Sequence, residues 1–91
     1  MEIKVNSPCS ASLIIQYGIK TWPIWECPPS SFAWEYDQKE TCLILQGEAC
    51  IITETSEVVN IKSGDLVTFP AGLKCKWDVK KTIKKHYRFG D

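Results

Sequence analysis

The sequence lacks the long apolar run that a membrane-spanning protein needs. A transmembrane helix requires roughly 20 consecutive apolar residues, whereas residues 12–15 (Ser-Leu-Ile-Ile) form only a short apolar patch. The N-terminus also lacks the charged-then-apolar order of a secretory signal. These absences predict a soluble, intracellular protein of the cytoplasm with no membrane partner.

Paired cysteines are lacking as well. The five cysteines form an odd set with no Cys-x-x-Cys spacing, which argues against both a disulfide framework and a zinc ribbon. A reducing compartment fits this pattern. Cys42 and Cys50 lie in apolar stretches, where a free cysteine behaves as a small hydrophobic side chain.

Neither sign of charge is in excess, because 11 basic residues balance 11 acidic ones. A neutral chain lacks the basic footprint of nucleic-acid binders, so we expect no nucleic-acid partner. The charges are nevertheless segregated, since residues 1–72 are net acidic and residues 73–91 are net basic. Apolar and basic residues alternate in residues 80–88, which predicts an edge strand with a cationic solvent face, where lysines oppose aggregation.

The sequence does contain enough apolar material for one small core. Its 91 residues are 44% hydrophobic, and a chain of this length cannot be divided further without losing its core, so we expect a single domain spanning residues 1–91. Short alternating stretches are separated by turns roughly every eight to twelve residues, which is typical of an all-β sandwich or barrel. Separate strands are predicted before and after Gly47, and again before and after residue 80.

The N-terminal third predicts one short helix and one loop. Ser10 is a candidate N-cap for a helical turn over residues 12–17, and Gly18 would end that turn. Residues 27–31 (Cys-Pro-Pro-Ser-Ser) predict an extended loop, because prolines donate no backbone hydrogen bonds.

The most informative stretch is residues 32–47. Phe32, Trp34 and Tyr36 share one parity, which is the period-2 signature of a strand with one buried face. After a polar turn, Glu40 begins a run in which both faces are largely apolar. We therefore expect the Glu40 side chain to point inward.

Two spacings between residues 34 and 79 carry a family resemblance. In the first spacing, or frame, one residue separates Trp34 from Tyr36, three residues separate Tyr36 from Glu40, and six separate Glu40 from Gly47. In the second frame, five residues separate Gly64 from the Pro70-x-Gly72 turn. Two residues then separate Gly72 from Cys75, and three separate Cys75 from Val79. Both frames resemble the two motifs of the cupin superfamily, and in particular its short single-domain branch related to ureidoglycine aminohydrolase and ethanolamine-utilisation cupins.

The resemblance implies a small antiparallel β-barrel of the jelly-roll type with a central cavity. In metal-dependent cupins, the motif positions supply three imidazoles and one carboxylate to a metal ion. The residues at those positions here are Trp34, Tyr36, Glu40 and Cys75. A homodimer is also implied, since dimers are common in the superfamily. Related plant chains carry plastid-targeting extensions, which makes the plastid stroma the alternative location.

The exchanged ligand positions change the predicted chemistry. An indole cannot ligate a metal, and a phenol must first lose a proton with a pKa of about 10, so we predict no cofactor at a standard metal site. Aromatic walls with a few polar groups are typical of small-molecule sites. We therefore expect Trp34, Tyr36, Glu40 and Cys75 to bind a small polar ligand.

Three alternatives stay open. The first is a metal-dependent cupin enzyme with the altered ligand set Glu40, Cys75 and His86, although the parity of His86 in the basic strand predicts that it faces solvent. The second is a metal-free enzyme with Cys75 as nucleophile or Glu40 as general base. The third is a structural or protein-interaction domain with a filled barrel, in which Glu40 is hydrogen-bonded to Tyr36 or Trp34.

Overall fold

The computed structural model of the protein describes residues 2–90, in which it has seven β-strands, one α-helix and one 3₁₀ turn. The strands are β1 (Lys4–Asn6), β2 (Ile24–Cys27), β3 (Ser30–Glu35), β4 (Glu40–Thr53), β5 (Val58–Lys62), β6 (Leu66–Phe69) and β7 (Lys74–Phe89). Helix α1 covers Ala11–Gln16, and the 3₁₀ turn covers Ile19–Thr21. Neither helical segment has the length and apolarity needed to cross a membrane.

All seven strands belong to one antiparallel sheet, and its two long strands, β4 and β7, hold it together. The order is β1-β6-β4-β7-β2, with β3 also paired to β7 and β5 also paired to β4. Strands β4 and β7 pair along nearly their whole length, from Glu40 opposite Phe89 to Thr53 opposite Cys75. Among residues 2–90, β1 and β2 do not pair with each other, so the sheet stays open at its ends. The predicted all-β antiparallel class is confirmed.

The predicted strand breaks at Gly47 and at residue 80 are wrong. Strand β4 continues through Gly47 with register shifts against β7 rather than ending there. Strand β7 is 16 residues long and continues through residue 80 without a break. It is also an interior strand, because β4 pairs along one side of it and β2 and β3 along the other. The predicted edge strand with a purely solvent-facing cationic side is therefore wrong.

The predicted helix is confirmed, and the predicted loop is only partly present. Ser10 caps α1, since its side-chain oxygen accepts a hydrogen bond from the backbone N–H of Leu13 at 3.2 Å. Gly18 follows the helix in the left-handed region, with φ +61°. Residues 27–31 are mostly strand, and only the two prolines connect β2 to β3. Prolines suit this connection because they carry no N–H group that would lack a partner.

The sheet buries apolar side chains on both faces, as the run after Glu40 predicts. Cys42 and Ile44 of β4 belong to the main core, which lies on the inner face. Leu43 points the other way into a smaller core with Ile19 and other residues of the N-terminal segment. The N-terminal helix and turn thus cover the outer face of the sheet.

The backbones of β4 and β7 lie close together at Gly47. Its φ is +96°, and a Cβ at this position would collide with the carbonyl oxygen of Thr82 and lie 2.8 Å from that of Lys81. Backbone atoms cannot move aside as a flexible side chain can. Only glycine therefore fits at this crossing, where the register between the two long strands changes.

Gly47→Ala should lower the free energy of unfolding by at least about 3 kcal/mol, because it adds both a backbone collision and an unfavourable φ. Gly18→Ala is the matched control: its φ is also positive, but a Cβ there meets only the Thr21 hydroxyl at 3.6 Å. The control should cost about 1–2 kcal/mol. Urea unfolding of both variants measures the difference, and equal losses would contradict the collision.

Candidate functional site

A cavity of about 170 Å³ opens on the inner face of the sheet, between β2, β3, β4 and β7. Most of its wall is aromatic. The lining aromatic side chains are Trp25, Phe32, Trp34, Tyr36, Trp77, Tyr87 and Phe89. Its two charged lining residues are Glu40 and Lys85.

Three rings of the wall pack on one another. Phe32 and Trp77 are direct cross-strand partners, and their rings are stacked with an interplanar angle of 4° and centroids 6.3 Å apart. Trp25 meets both rings edge-on, at 6.3 Å from Phe32 and 6.0 Å from Trp77. Such aromatic pairs contribute about 0.5–1.5 kcal/mol each beyond their buried area. The wall is therefore held in place by its own packing.

A buried ion pair lies in this wall. The Lys85 ammonium is 2.9 Å from Glu40 Oε2, and the two side chains are only 7% and 3% exposed. The same ammonium lies 4.8 Å from the ring centroid of Trp25 and 4.7 Å from that of Trp77. Both indole faces attract the cation, which offsets part of the cost of removing it from water.

The carboxylate of Glu40 is only half satisfied. Its Oε2 accepts the hydrogen bond from Lys85, whereas its Oε1 is buried and has no hydrogen-bond partner among residues 2–90. A buried acceptor without a partner costs about 1–3 kcal/mol. The wall of the cavity therefore contains one buried polar atom that a further donor would stabilise.

Tyr36 presents a neutral phenol to the cavity. Trp77 donates a hydrogen bond from Nε1 to the Tyr36 hydroxyl at 3.2 Å, and the Tyr36 ring stacks on Phe69 at 4.9 Å. Burial, and next the negative charge of Glu40, raise the pKa of Tyr36 well above its usual value. The phenol therefore keeps its proton and supplies no anionic oxygen.

The four sequence-predicted ligand residues are not all on the cavity. Trp34, Tyr36 and Glu40 line it, with Trp34 at its rim, 48% exposed and edge-on to Tyr36. Cys75 is buried in the main core opposite Trp34 in the β3–β7 register, and it does not line the cavity. Burial, and next Glu40, raise the pKa of Cys75 to about 11. Its thiol is therefore protonated at neutral pH and poorly nucleophilic.

The predicted solvent position of His86 is wrong. This side chain is only 8% exposed, and its Nδ1 donates a hydrogen bond to the Trp22 carbonyl oxygen at 2.9 Å. It is the cross-strand partner of Leu43, which belongs to the outer core. His86 does point to the face opposite Ile83 and Tyr87, as its parity predicts, but the N-terminal segment covers that face. His86 therefore lies across the sheet from Glu40.

Lys85 is the site residue that the sequence did not single out. It has the parity of Ile83 and Tyr87, which point inward in the same strand. That parity was the available signal, but a lysine in a basic stretch is usually solvated. Its burial depends on Glu40, which lies 45 residues earlier in the chain.

Comparisons with known proteins support the fold. A DUF861-family protein from Thermotoga maritima is 41% identical, with a TM-score of 0.94 over 97% of this chain and 99% of that chain. EutQ from Clostridium difficile is 24% identical, with a TM-score of 0.68 over 74% of this chain and 52% of its own. The putative ethanolamine utilization protein Q of Salmonella typhimurium is 21% identical, with a TM-score of 0.67 over 74% of this chain and 54% of its own. The chain thus spans about half of each of these two proteins, and at such identities they show the fold alone.

The family model of the EutQ-like cupin domain matches residues 16–87. The chain belongs to the EutQ-like cupin family. The cupin resemblance of the two motif frames and the jelly-roll type of fold that it implied are thereby confirmed. Among curated proteins, none matches this cupin chain.

The residues of this cupin do not fit the metal of the metal-dependent members. At the four motif positions, Trp34 has no lone pair to donate, and Tyr36 and Cys75 keep their protons at neutral pH. The cation beside Glu40 is the ammonium of Lys85. Within residues 2–90, no group of three or more His, Cys, Asp or Glu side chains is arranged to hold a metal ion.

The altered ligand set Glu40, Cys75 and His86 is likewise not brought together, since His86 faces the outer core. Glu40 is paired with Lys85, and the Tyr36 hydroxyl interacts with Glu40 only weakly.

Cys75 should react with iodoacetamide at neutral pH roughly a hundredfold or more slowly than free cysteine, because its pKa of about 11 leaves little thiolate. The rate should rise about tenfold for each pH unit until the pH nears that pKa. Peptide mapping by mass spectrometry gives the rate, with the less buried Cys50 as an internal reference. Modification faster than free cysteine would mean an activated thiol.

The ion pair should show a large coupling energy. Glu40→Gln or Lys85→Met alone should cost about 3–5 kcal/mol, because each leaves a buried charge without its partner. The double variant should cost clearly less than the sum. The exposed pair of Glu48 and Lys81, at 3.7 Å, is the matched control, and the same two substitutions there should show coupling near zero. Additive losses at residues 40 and 85, measured by urea unfolding, would contradict the buried pair.

Proposed function

We propose that this cupin binds a small polar molecule in the aromatic cavity, without the three-histidine and glutamate metal site of metal-dependent cupins. The observation that carries the proposal is the Glu40–Lys85 ion pair in the wall of an otherwise aromatic cavity. Burying polar groups in an apolar cavity costs free energy unless they have hydrogen-bond or ionic partners. Small-molecule sites combine aromatic walls with a few such polar groups.

The cavity itself favours binding over a purely structural role. A filled barrel would leave no space beside Glu40, whereas about 170 Å³ is open here. Trp34 and Phe89 at 48% and 44% exposure are lining residues that solvent also reaches, so a ligand has a way in. Catalysis by Cys75 is not favoured, because that thiol is protonated and lies outside the cavity.

A thermal-shift screen of small polar metabolites should find at least one ligand that stabilises the protein. At a concentration 100 times its dissociation constant, a ligand of the native state adds about 2.7 kcal/mol. Trp34→Ala should weaken the binding of that ligand by a factor of about 2 to 10, because it removes an aromatic contact at the rim. Ile15→Ala, which truncates an 81% exposed side chain on α1, is the control and should leave binding unchanged. A library in which nothing stabilises the protein would favour a structural role.

Protein purified without an affinity tag should contain no stoichiometric transition metal, because the lysine ammonium already pairs with the carboxylate. Metal analysis of the purified protein measures this. Near-stoichiometric manganese, iron, zinc or nickel would instead favour the metal-dependent enzyme. A larger thermal shift with the same metals for Lys85→Met than for the wild type would then place the ion beside Glu40.

A further inference from the structure

We infer that the cavity selects neutral, flat, single-ring ligands that carry an N–H donor next to a C=O acceptor, as a lactam ring does. The inference rests on the proposed function and narrows its ligand class. It depends on the size and shape of the cavity and on three features of its wall: one acceptor without a partner, one ammonium with N–H groups that bind no oxygen, and a balanced charge.

The unused acceptor is Oε1 of Glu40. Glu40 is 2% exposed and lines the cavity, and among residues 2–90 its Oε1 has no hydrogen-bond partner. A hydrogen bond to a charged group is stronger than one between neutral groups. A ligand N–H group that reaches this oxygen is therefore preferred over an analogue that lacks the hydrogen.

Lys85 has N–H groups that make no hydrogen bond to an oxygen atom within residues 2–90, although its ammonium lies over the rings of Trp25 and Trp77. An ammonium has three N–H groups, and one of them serves Glu40 Oε2. No second oxygen accepts from this ammonium within residues 2–90. Because Lys85 also lines the cavity, a carbonyl oxygen of the ligand can accept from it. Donor and acceptor on the protein are neighbours, so the matching ligand carries acceptor and donor on neighbouring atoms.

The charge of the wall favours a neutral ligand. Glu40 and Lys85 cancel, and the other lining side chains are aromatic. A carboxylate or ammonium on the ligand would enter this low-dielectric site without an opposite charge of its own, which is costly.

The size and the shape of the space favour one flat ring. About 170 Å³ is below the roughly 300–1,000 Å³ of pockets that hold drug-sized ligands. Aromatic walls pack best on flat rings, either offset-stacked or edge-on. The stacked Phe32 and Trp77 rings, at an interplanar angle of 4°, show that the wall already favours such packing.

The probe is 2-pyridone, a single-ring lactam, titrated into the wild-type protein and followed by NMR through the indole N–H signals. The comparison compound is 1-methyl-2-pyridone, which lacks the N–H group, and 3-methyl-2-pyridone controls for the bulk of the added methyl. Benzoate and benzylammonium test the two signs of charge on a ring of the same size.

We expect 2-pyridone and its 3-methyl analogue to bind with dissociation constants of about 1 mM or lower and to shift the signals of Trp25 and Trp77. The N-methyl compound and both charged rings should bind about tenfold or more weakly. Equal binding of the N-methyl compound, or tighter binding of either charged ring, would overturn the ligand class while leaving a cavity that binds. Failure of all five probes to bind would also overturn the class, and the metabolite screen then judges the proposed function separately.

A charge-balanced variant tests whether the ion pair gives the discrimination. The double variant Glu40→Gln/Lys85→Met removes both charges together and so avoids an unpaired one. It should lose the preference for 2-pyridone over 1-methyl-2-pyridone. The double variant Glu48→Gln/Lys81→Met makes the same chemical changes at an exposed pair and should keep the preference. A preference that survives in the first double variant would contradict the role given to the pair.

Discussion

The pairing of Glu40 with Lys85 inside an aromatic cavity is the interaction on which the account of this site depends. Removing two ions from water costs free energy, and this cost is offset only when the ions pair with each other and with further polar or aromatic groups. Lys85 finds the faces of Trp25 and Trp77, whereas Glu40 keeps one oxygen without a partner. The pair supplies the cation beside this carboxylate from the chain itself. It thus distinguishes this cupin from those that place a metal beside the corresponding glutamate.

The two long strands make that pair possible. Glu40 begins β4 and Lys85 lies near the end of β7, and the antiparallel register brings these distant positions to the same end of the sheet. Strand β2 then sets Trp25 directly beside Lys85, and β3 sets Phe32 beside Trp77. The close crossing at Gly47 holds the register change between β4 and β7. The motif glycine Gly47 is therefore needed for the geometry of the site, within a continuous strand.

Much of the fold and half of the site follow from local pattern. Parity in residues 32–36 was enough to place Phe32, Trp34 and Tyr36 on one face, and the apolar run after Glu40 indicated an inward carboxylate. Lys85 and His86 could not be placed in the same way, because their burial depends on groups distant in the chain: Glu40 for the lysine and the carbonyl of Trp22 for the histidine. A charged residue is rarely buried unless it is paired, and its partner cannot be read from a local pattern. The same limit explains why the sequence predicts an edge strand where β7 is an interior strand, since strand neighbours are set by the whole sheet.

The most direct test of the central claim, that the internal cation beside Glu40 is a lysine, is a crystal structure of untagged protein with anomalous diffraction data collected at transition-metal absorption edges. We predict that Lys85 Nζ lies within hydrogen-bond distance of Glu40 Oε2 and that the cavity shows no anomalous peak. An anomalous peak at about 2.0–2.2 Å from a Glu40 oxygen, the usual metal–carboxylate distance for zinc, with Lys85 turned away, would contradict it.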